Sequence, residues 1–334
     1  MGGNAKATPR LVSLLGVALD LFENPPTIWR TKLRSKKDDV DHAGQVAHCI
    51  EGGRVGIGWG IEELPTGAGL ARVVAAIRVS DRPNWGRRAA STVRLFGEEA
   101  AIGDFVWTRD LEGRFRLARI TGRYRYENSR SAKEFDTHQV RKAEWAPEPL
   151  GDLDVPGAVV RAFSGISTSF SRIKDHGARV YTAWVWEKLA GKEPAPLDLS
   201  PAEVLQHLDP YDLEDLIYVW MQVARGYLAL PKARRTDTPA YEWTMLHRET
   251  HLPAILQVKS GGRSVDLEDL VKAAANEDTT LFAFSAVGDY RGSPSREVIR
   301  IKAEELLGFV AKHPQLLPPR VRMWFELARP EIGR

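Results

Sequence analysis

"YEWTMLHRETHLPAILQVKSGG", residues 241–262, decides how the second half of this 334-residue chain is read. Two strand-like apolar runs, at about 240–247 and 253–260, flank a polar centre rich in His and Arg. Strand alternation puts Gln257 and Lys259 on one face and Val258 on the other. Ser260 and two glycines follow, so a carboxamide and an amine stand together where the strand runs out. If "HRETH" joins the runs as a hairpin, Glu242 arrives at the same end of it as Gln257. The Glu242 carboxylate, the Gln257 carbonyl oxygen and the Val258 backbone carbonyl are donors that Mg²⁺ (or Mn²⁺) accepts while keeping several waters. Lys259 would orient the attacking water or stabilise charge growing on a phosphate. A plainer reading stands beside this one, since a Gln and a Lys ending a strand also suit a solvated edge.

Outward from this stretch the periodicity is helical. "SPAEVLQHL" opens with Ser200, Pro201 and Glu203 in a capping-box arrangement. "DPYDLEDLIYVWMQVARGY" carries Leu213, Leu216, Ile217, Trp220, Met221 and Ala224 on one stripe, and Gly226 stops it. Glu214 lies beside that stripe. Beyond the hairpin come a helix at "DLEDLVKAAANED", a strand at "TLFAFSAVG", the run "EVIRI" and a helix at "KAEELLGFVAKH". This order predicts an α/β sandwich. "EKLAGKEPAPLDLSPAEV" (187–204) gathers Pro and Gly among charges and marks a domain edge. The division expected is 1–186, a linker at 187–202, and 203–334.

The first half shows short β-rich runs between Gly and polar turns, which predicts a small barrel or strongly bent sheet. "GLARVVAAIRV" fits a strand or a helix. "GRVGIGWG" has the glycine density of a phosphate loop, but no suitable helix or Lys-Ser/Thr follows, so it reads as a strand packed closely around Trp59. "GDFVWTRDLEGRFRLARITGRYRY" reads as a hairpin. Between Arg109 and Arg125 it holds six Arg against two acids, interleaved with Trp107, Phe115, Tyr124 and Tyr126. Arginines grip phosphates and rings stack on bases, so the mixture suits nucleic acid. It equally suits an exposed Arg face over an aromatic core.

Apolar content of 43% with 27% charged residues is globular, and a net charge of +3 does not by itself predict a polyanion partner. The single Cys49 excludes an internal disulfide and a Cys-rich zinc module, which predicts a reducing, cytoplasmic setting. "LVSLLGVALDLF", broken by Asp20, reads as an amphipathic helix rather than a secretory signal. No run approaches the roughly 18 apolar residues of a membrane span, so no membrane partner is expected. "HRETH" invites a zinc site at His247, Glu249 and His251, but the Glu is displaced from the metalloprotease position and Pro253 follows, which favours a polar hairpin tip.

An acid, about fifteen residues, then "QVK", after a helix with its own Glu, resembles the PD-(D/E)xK nuclease fold. More narrowly the set is similar to the catalytic domain of Mrr-type restriction endonucleases, which often carry Gln-x-Lys where others have Glu-x-Lys. The family usually has Asp at the first acid, where this chain has Glu242. "IGWG", "IGDFVWTRD", "ARITGRYRYE" and "HQVRKAEW" resemble the N-terminal β domain that accompanies some Mrr-type nucleases, itself similar to PUA and EVE barrels. Such barrels often receive a flipped, sometimes modified, base in an aromatic pocket. The resemblance implies an α+β two-domain protein, with an N-terminal small β-barrel-like (PUA/EVE-like) reader and a C-terminal α/β restriction-endonuclease-like domain. It implies catalysis by Glu214, Glu242, Gln257 and Lys259, and Mg²⁺ held by Glu242, Gln257 and Val258. Trp59, Trp107, Arg119, Arg123, Tyr124, Tyr126, His138 and Trp145 become nucleic-acid-binding candidates. The function implied is a modification-dependent DNA endonuclease of restriction or phage defence, dimeric if it cuts both strands. A binder that has lost cleavage, or RNA as the target, are the alternatives.

Overall fold

The computed structural model describes residues 24–35, 40–79, 83–164, 168–194, 196–197, 199–229, 243–274 and 276–328. The chain divides into two units, Met1–Ala195 and Pro196–Arg334. The helix expected at "LVSLLGVALDLF" and the acid Glu242 lie outside the described residues.

The first unit holds, in chain order, β1 (Ile28–Thr31), α1 (His42–Glu51), β2 (Arg54–Ile57), α2 (Leu70–Arg78), α3 (Pro83–Arg94), a π-helical turn (Leu95–Glu99), β3 (Phe105–Arg109), β4 (Phe115–Tyr126), α4 (Arg130–Glu134), β5 (Gln139–Trp145), α5 (Gly157–Ser164), β6 (Phe170–Ile173) and α6 (His176–Leu189). Short polar side chains start the helices. The Asp41 carboxylate accepts from Ala43 N, Ser129 Oγ from Ala132 N, and Asp175 from Ala178 N. "GLARVVAAIRV" is helical as α2, burying Val73 and Ile77 four residues apart.

The strands run β2-β5-β4-β3-β1-β6 in one mixed sheet. Its core face gathers Trp29, Val55, Ile57, Val106, Ala118, Ile120 and Tyr126 against Val73, Ile77, Val93 and Phe96. The opposite face packs Phe105 on Trp186 and Phe115 on Phe163, with ring centroids 5.5 Å apart in both pairs. Of the small barrel or strongly bent sheet expected, the structure shows an open mixed sheet with helices on both faces, and among the described residues no barrel closes. Its edge strands, β2 and β6, are not paired with each other. β1 inserts between β3 and β6, parallel to β3, and parallel neighbours need a long crossover rather than a hairpin. Cys49, on α1, is fully buried near Leu33 and Val46, and burial pushes its thiol up to about 12.

The second unit holds α7 (Pro201–His207), α8 (Pro210–Arg225), β7 (Tyr227–Ala229), β8 (Trp243–His247), β9 (Pro253–Lys259), β10 (Val265–Asp266), α9 (Leu267–Ala273), β11 (Thr280–Ser285), β12 (Tyr290–Arg291), β13 (Ile299–Arg300), α10 (Ala303–Lys312), a 3₁₀ turn and α11 (Pro319–Ala328). The capping box at Ser200 and Glu203 forms in both directions. Gly226 ends α8 with φ 72°, a conformation that a side chain would strain. The main sheet runs β13-β11-β9-β8-β7. β7, β8 and β9 are antiparallel, while β11 is parallel to β9 and to β13. Central strand β9 is thus paired on both sides.

Each face of that sheet has its own helix. Tyr218 of α8 stacks on Trp243 at 4.7 Å, and Trp243 sits opposite Leu256. Leu267 and Leu270 of α9 pack with Ile255, Leu281 and Ala283, which alternation puts on the other face. Among the described residues no helix is long and apolar enough to cross a membrane.

Candidate functional site

Gln257 and Lys259 stand on the face of β9 covered by α9, at the carboxyl end of the strand. Gln257 is buried and Lys259 half-buried. Ser285, at the end of β11, lies directly opposite Lys259, and Ala286 N donates to Lys259 O at 3.0 Å. Successive carbonyls of a strand point to opposite sides, so Val258 O is turned toward β8. There Trp243 pairs with Leu256, the residue before Gln257. The amide of Gln257 and the carbonyl of Val258 are thus hard oxygen donors at the strand end where β8 begins. With a carboxylate, that donor set fits Mg²⁺ or Mn²⁺ completed by water, and does not fit a metal that prefers sulfur or nitrogen.

Glu214 is buried on α8, whose Tyr218 packs on the Trp243 face. Its helix lies across the sheet from Gln257 and Lys259. Asp212, two residues earlier, is a different case. It is buried in an ion pair with Arg320 of α11, and burial outweighs that partner, raising its carboxyl to about 6.

The "HRETH" segment is the turn between β8 and β9, with His247 N donating to Leu252 O. His247 Nδ1 accepts from the backbone N–H of Thr250 at 3.2 Å and of Glu249 at 3.4 Å. That nitrogen closes the turn. Among the described residues no three His, Cys, Asp or Glu side chains gather to hold a metal.

In the first unit the aromatic candidates separate into two groups. Trp107 is fully buried, and its indole N–H donates to Thr182 Oγ1 at 3.1 Å. It is core. Trp145 is half-buried, with its N–H shared between Cys49 O and Arg54 O. Gln139, a residue that sequence reasoning missed, links Tyr124 to Trp59, while Tyr126, fully buried in the core, and buried His138 pair with each other. Fully buried Gln139 accepts from Tyr124 Oη at 2.6 Å and donates to Trp59 O at 2.9 Å. Tyr126 Oη accepts from Ile61 N and donates to Ile61 O, while its ring stacks on buried His138. Half-buried Trp59 is held at φ 66°, a left-handed backbone that a bulky residue rarely adopts. The only sequence sign of Gln139 was its place beside His138 at the start of a strand.

The arginines divide too. Arg109 pairs with Asp152, and Arg114 with Asp110 and Glu112. Arg119 is half-buried over the Phe105 ring. Arg123 and Arg125 are exposed, and neither has a carboxylate partner among the described residues. Arg123 lies within, and Arg125 just beyond, a bulge where Ile120 pairs with Ala143 but Tyr124 already pairs with Arg141. Buried Arg141 pins that region, donating to Phe96 O and Gly97 O of the π turn and to Gly122 O.

Residues 29–156, inside the first unit and less than half of the chain, match the model of a domain of unknown function (DUF8426). No curated protein and no solved structure matches the chain.

Proposed function

We propose that the chain is a magnesium-dependent DNA endonuclease, with the second unit hydrolysing phosphodiesters and the first reading DNA, including modified bases. The observation that carries the reading is the end of β9. Gln257 and Lys259 share a face there, and Val258 O turns toward the strand that begins just after Glu242. Mg²⁺ or Mn²⁺, when bound, supplies a Lewis acid for a phosphoryl oxygen and a more acidic water. Glu242, Gln257 and Val258 O would hold it. Lys259, two residues along the same face, orients the attacking water and stabilises charge growing on the phosphate. Glu214 supplies a second carboxylate around the strand end.

In the first unit, Trp59, fixed by Gln139, offers a ring for stacking, and Arg123 and Arg125 offer phosphate contacts. A reader coupled to a nuclease suits restriction or phage defence. One site cuts one strand, so double-strand cutting calls for a homodimer.

The test is purified protein with Mg²⁺ or Mn²⁺ on supercoiled plasmid and on modified phage DNA, beside Glu242→Ala and Lys259→Ala. Nicking by the parent, lost about a hundredfold or more in each variant, is the result expected. Nicking that persists unchanged in both rules out this site. A second reading, a nucleic-acid binder without cleavage, is favoured by one feature, the neutral Gln257 where a second acid would strengthen metal binding. Binding of DNA or RNA with no heat of Mn²⁺ association selects it.

A further inference from the structure

We propose that Arg263 grips a backbone phosphate of the bound nucleic acid next to Lys259, extending the site along the carboxyl ends of β9 and β11. The inference rests on the nuclease reading above and names a contact that reading did not include.

Four observations converge on this residue. First, β9 and β11 are parallel and end together, with Lys259 opposite Ser285. In sheets of this kind ligands settle beyond the carboxyl ends of parallel strands. Second, the chain leaves Lys259 through buried Ser260 and then Gly261 and Gly262, where a Cβ would meet nothing within 4 Å. The loop therefore leaves open space beside the Lys259 end of the strand, and a phosphate backbone can approach closely.

Third, Arg263 is tied down at both ends. Its carbonyl accepts from Ser285 Oγ and its Nη2 donates to Ser260 Oγ, each at 3.3 Å. Ser285 Oγ in turn accepts from Asp289 N at 3.1 Å. Fourth, the guanidinium is exposed and has no carboxylate partner among the described residues. Elsewhere in the unit Arg225 is paired with Glu305 and Arg320 with Asp212. A guanidinium held on one side by a hydroxyl keeps its remaining N–H donors for a planar pair of oxyanion oxygens, the geometry of a phosphodiester.

Binding measured by fluorescence anisotropy across a KCl series, on labelled duplex with calcium in place of magnesium, tests this apart from cleavage. Arg263→Gln is expected to weaken binding about tenfold and to lower the slope of log affinity against log salt by about one. Arg263→Lys, which keeps the charge, should restore the slope. Lys312→Gln, an exposed charge on α10, should leave both unchanged. Matching thermal melts exclude misfolding. Parent-like binding by Arg263→Gln overturns the proposal, as does an equal loss in Lys312→Gln. If the parent itself binds no nucleic acid, the nuclease reading has failed and the proposal falls with it.

Discussion

Gly60 shows how little freedom the Trp59 loop has. A Cβ there would sit 2.2 Å from His138 Nε2, and that ring is buried with Nδ1 on Glu127 O, so it cannot swing aside cheaply. Gly60→Ala is expected to lower stability by about 2 kcal/mol, read from the urea midpoint at unchanged slope. Parent-like stability would mean that the loop moves freely. Gln257 makes the complementary prediction. Replacing its amide by a carboxylate adds a charged oxygen to the same place, so Gln257→Glu should tighten Mn²⁺ binding by about tenfold in calorimetry. Unchanged affinity would remove Gln257 from the ligand set. At this scale the second-unit pair was legible, because alternation alone aligns Gln257 with Lys259. The aromatic set was legible only in part. Trp107 and Tyr124 look alike in sequence, and what separates them is Thr182 and Gln139, each reached by folding rather than by spacing.

Among the elements, α8 and α11 are joined by the buried Asp212–Arg320 pair. Because burial raises the Asp212 carboxyl from 3.8 to about 6, the folded chain keeps a proton that the unfolded chain has already released. The stabilisation from this group is complete below pH 4 and declines as the pH climbs through 6. Its size is about 3 kcal/mol. Asp212→Asn should therefore gain on the parent by roughly that amount between pH 4 and 7 in denaturant titrations; a constant difference would refute it. On β4, exchanging both Arg123 and Arg125 for Gln should reduce the salt slope of DNA binding by about two. No change would make the bulge a feature of folding alone. The longer helices and strands of the second unit could be read locally, since Gly226 and the Ser200 capping box announce their own positions, but the short strands β7, β10 and β12 and the last helix, α11, were not so read. In the first unit the residues of α2 carry no clean alternation, and only burial of Val73 and Ile77 reveals the helical face.

At the level of the whole molecule, strand order was the least legible property. Nothing near Ile28 says that β1 will pair in parallel with β3 across more than seventy residues, or that β2 and β6 will be left as unpaired edges. The α+β class followed from local pattern; the absence of closure did not. The functional reading makes its own demand here. If a homodimer cuts both strands, the ratio of linear to nicked plasmid should rise with protein concentration, while a ratio independent of concentration would indicate monomers that act separately.

Cys49 lends the first unit a built-in clock. With burial pushing its thiol up to about 12, the reactive thiolate is scarce at pH 7, and the side chain has no exposed surface in the folded unit. An alkylating dye then labels the chain only during the moments when α1 has lifted away from β2. Uptake of a single dye per molecule records the frequency of that breathing, and any ligand that quiets the unit will slow it.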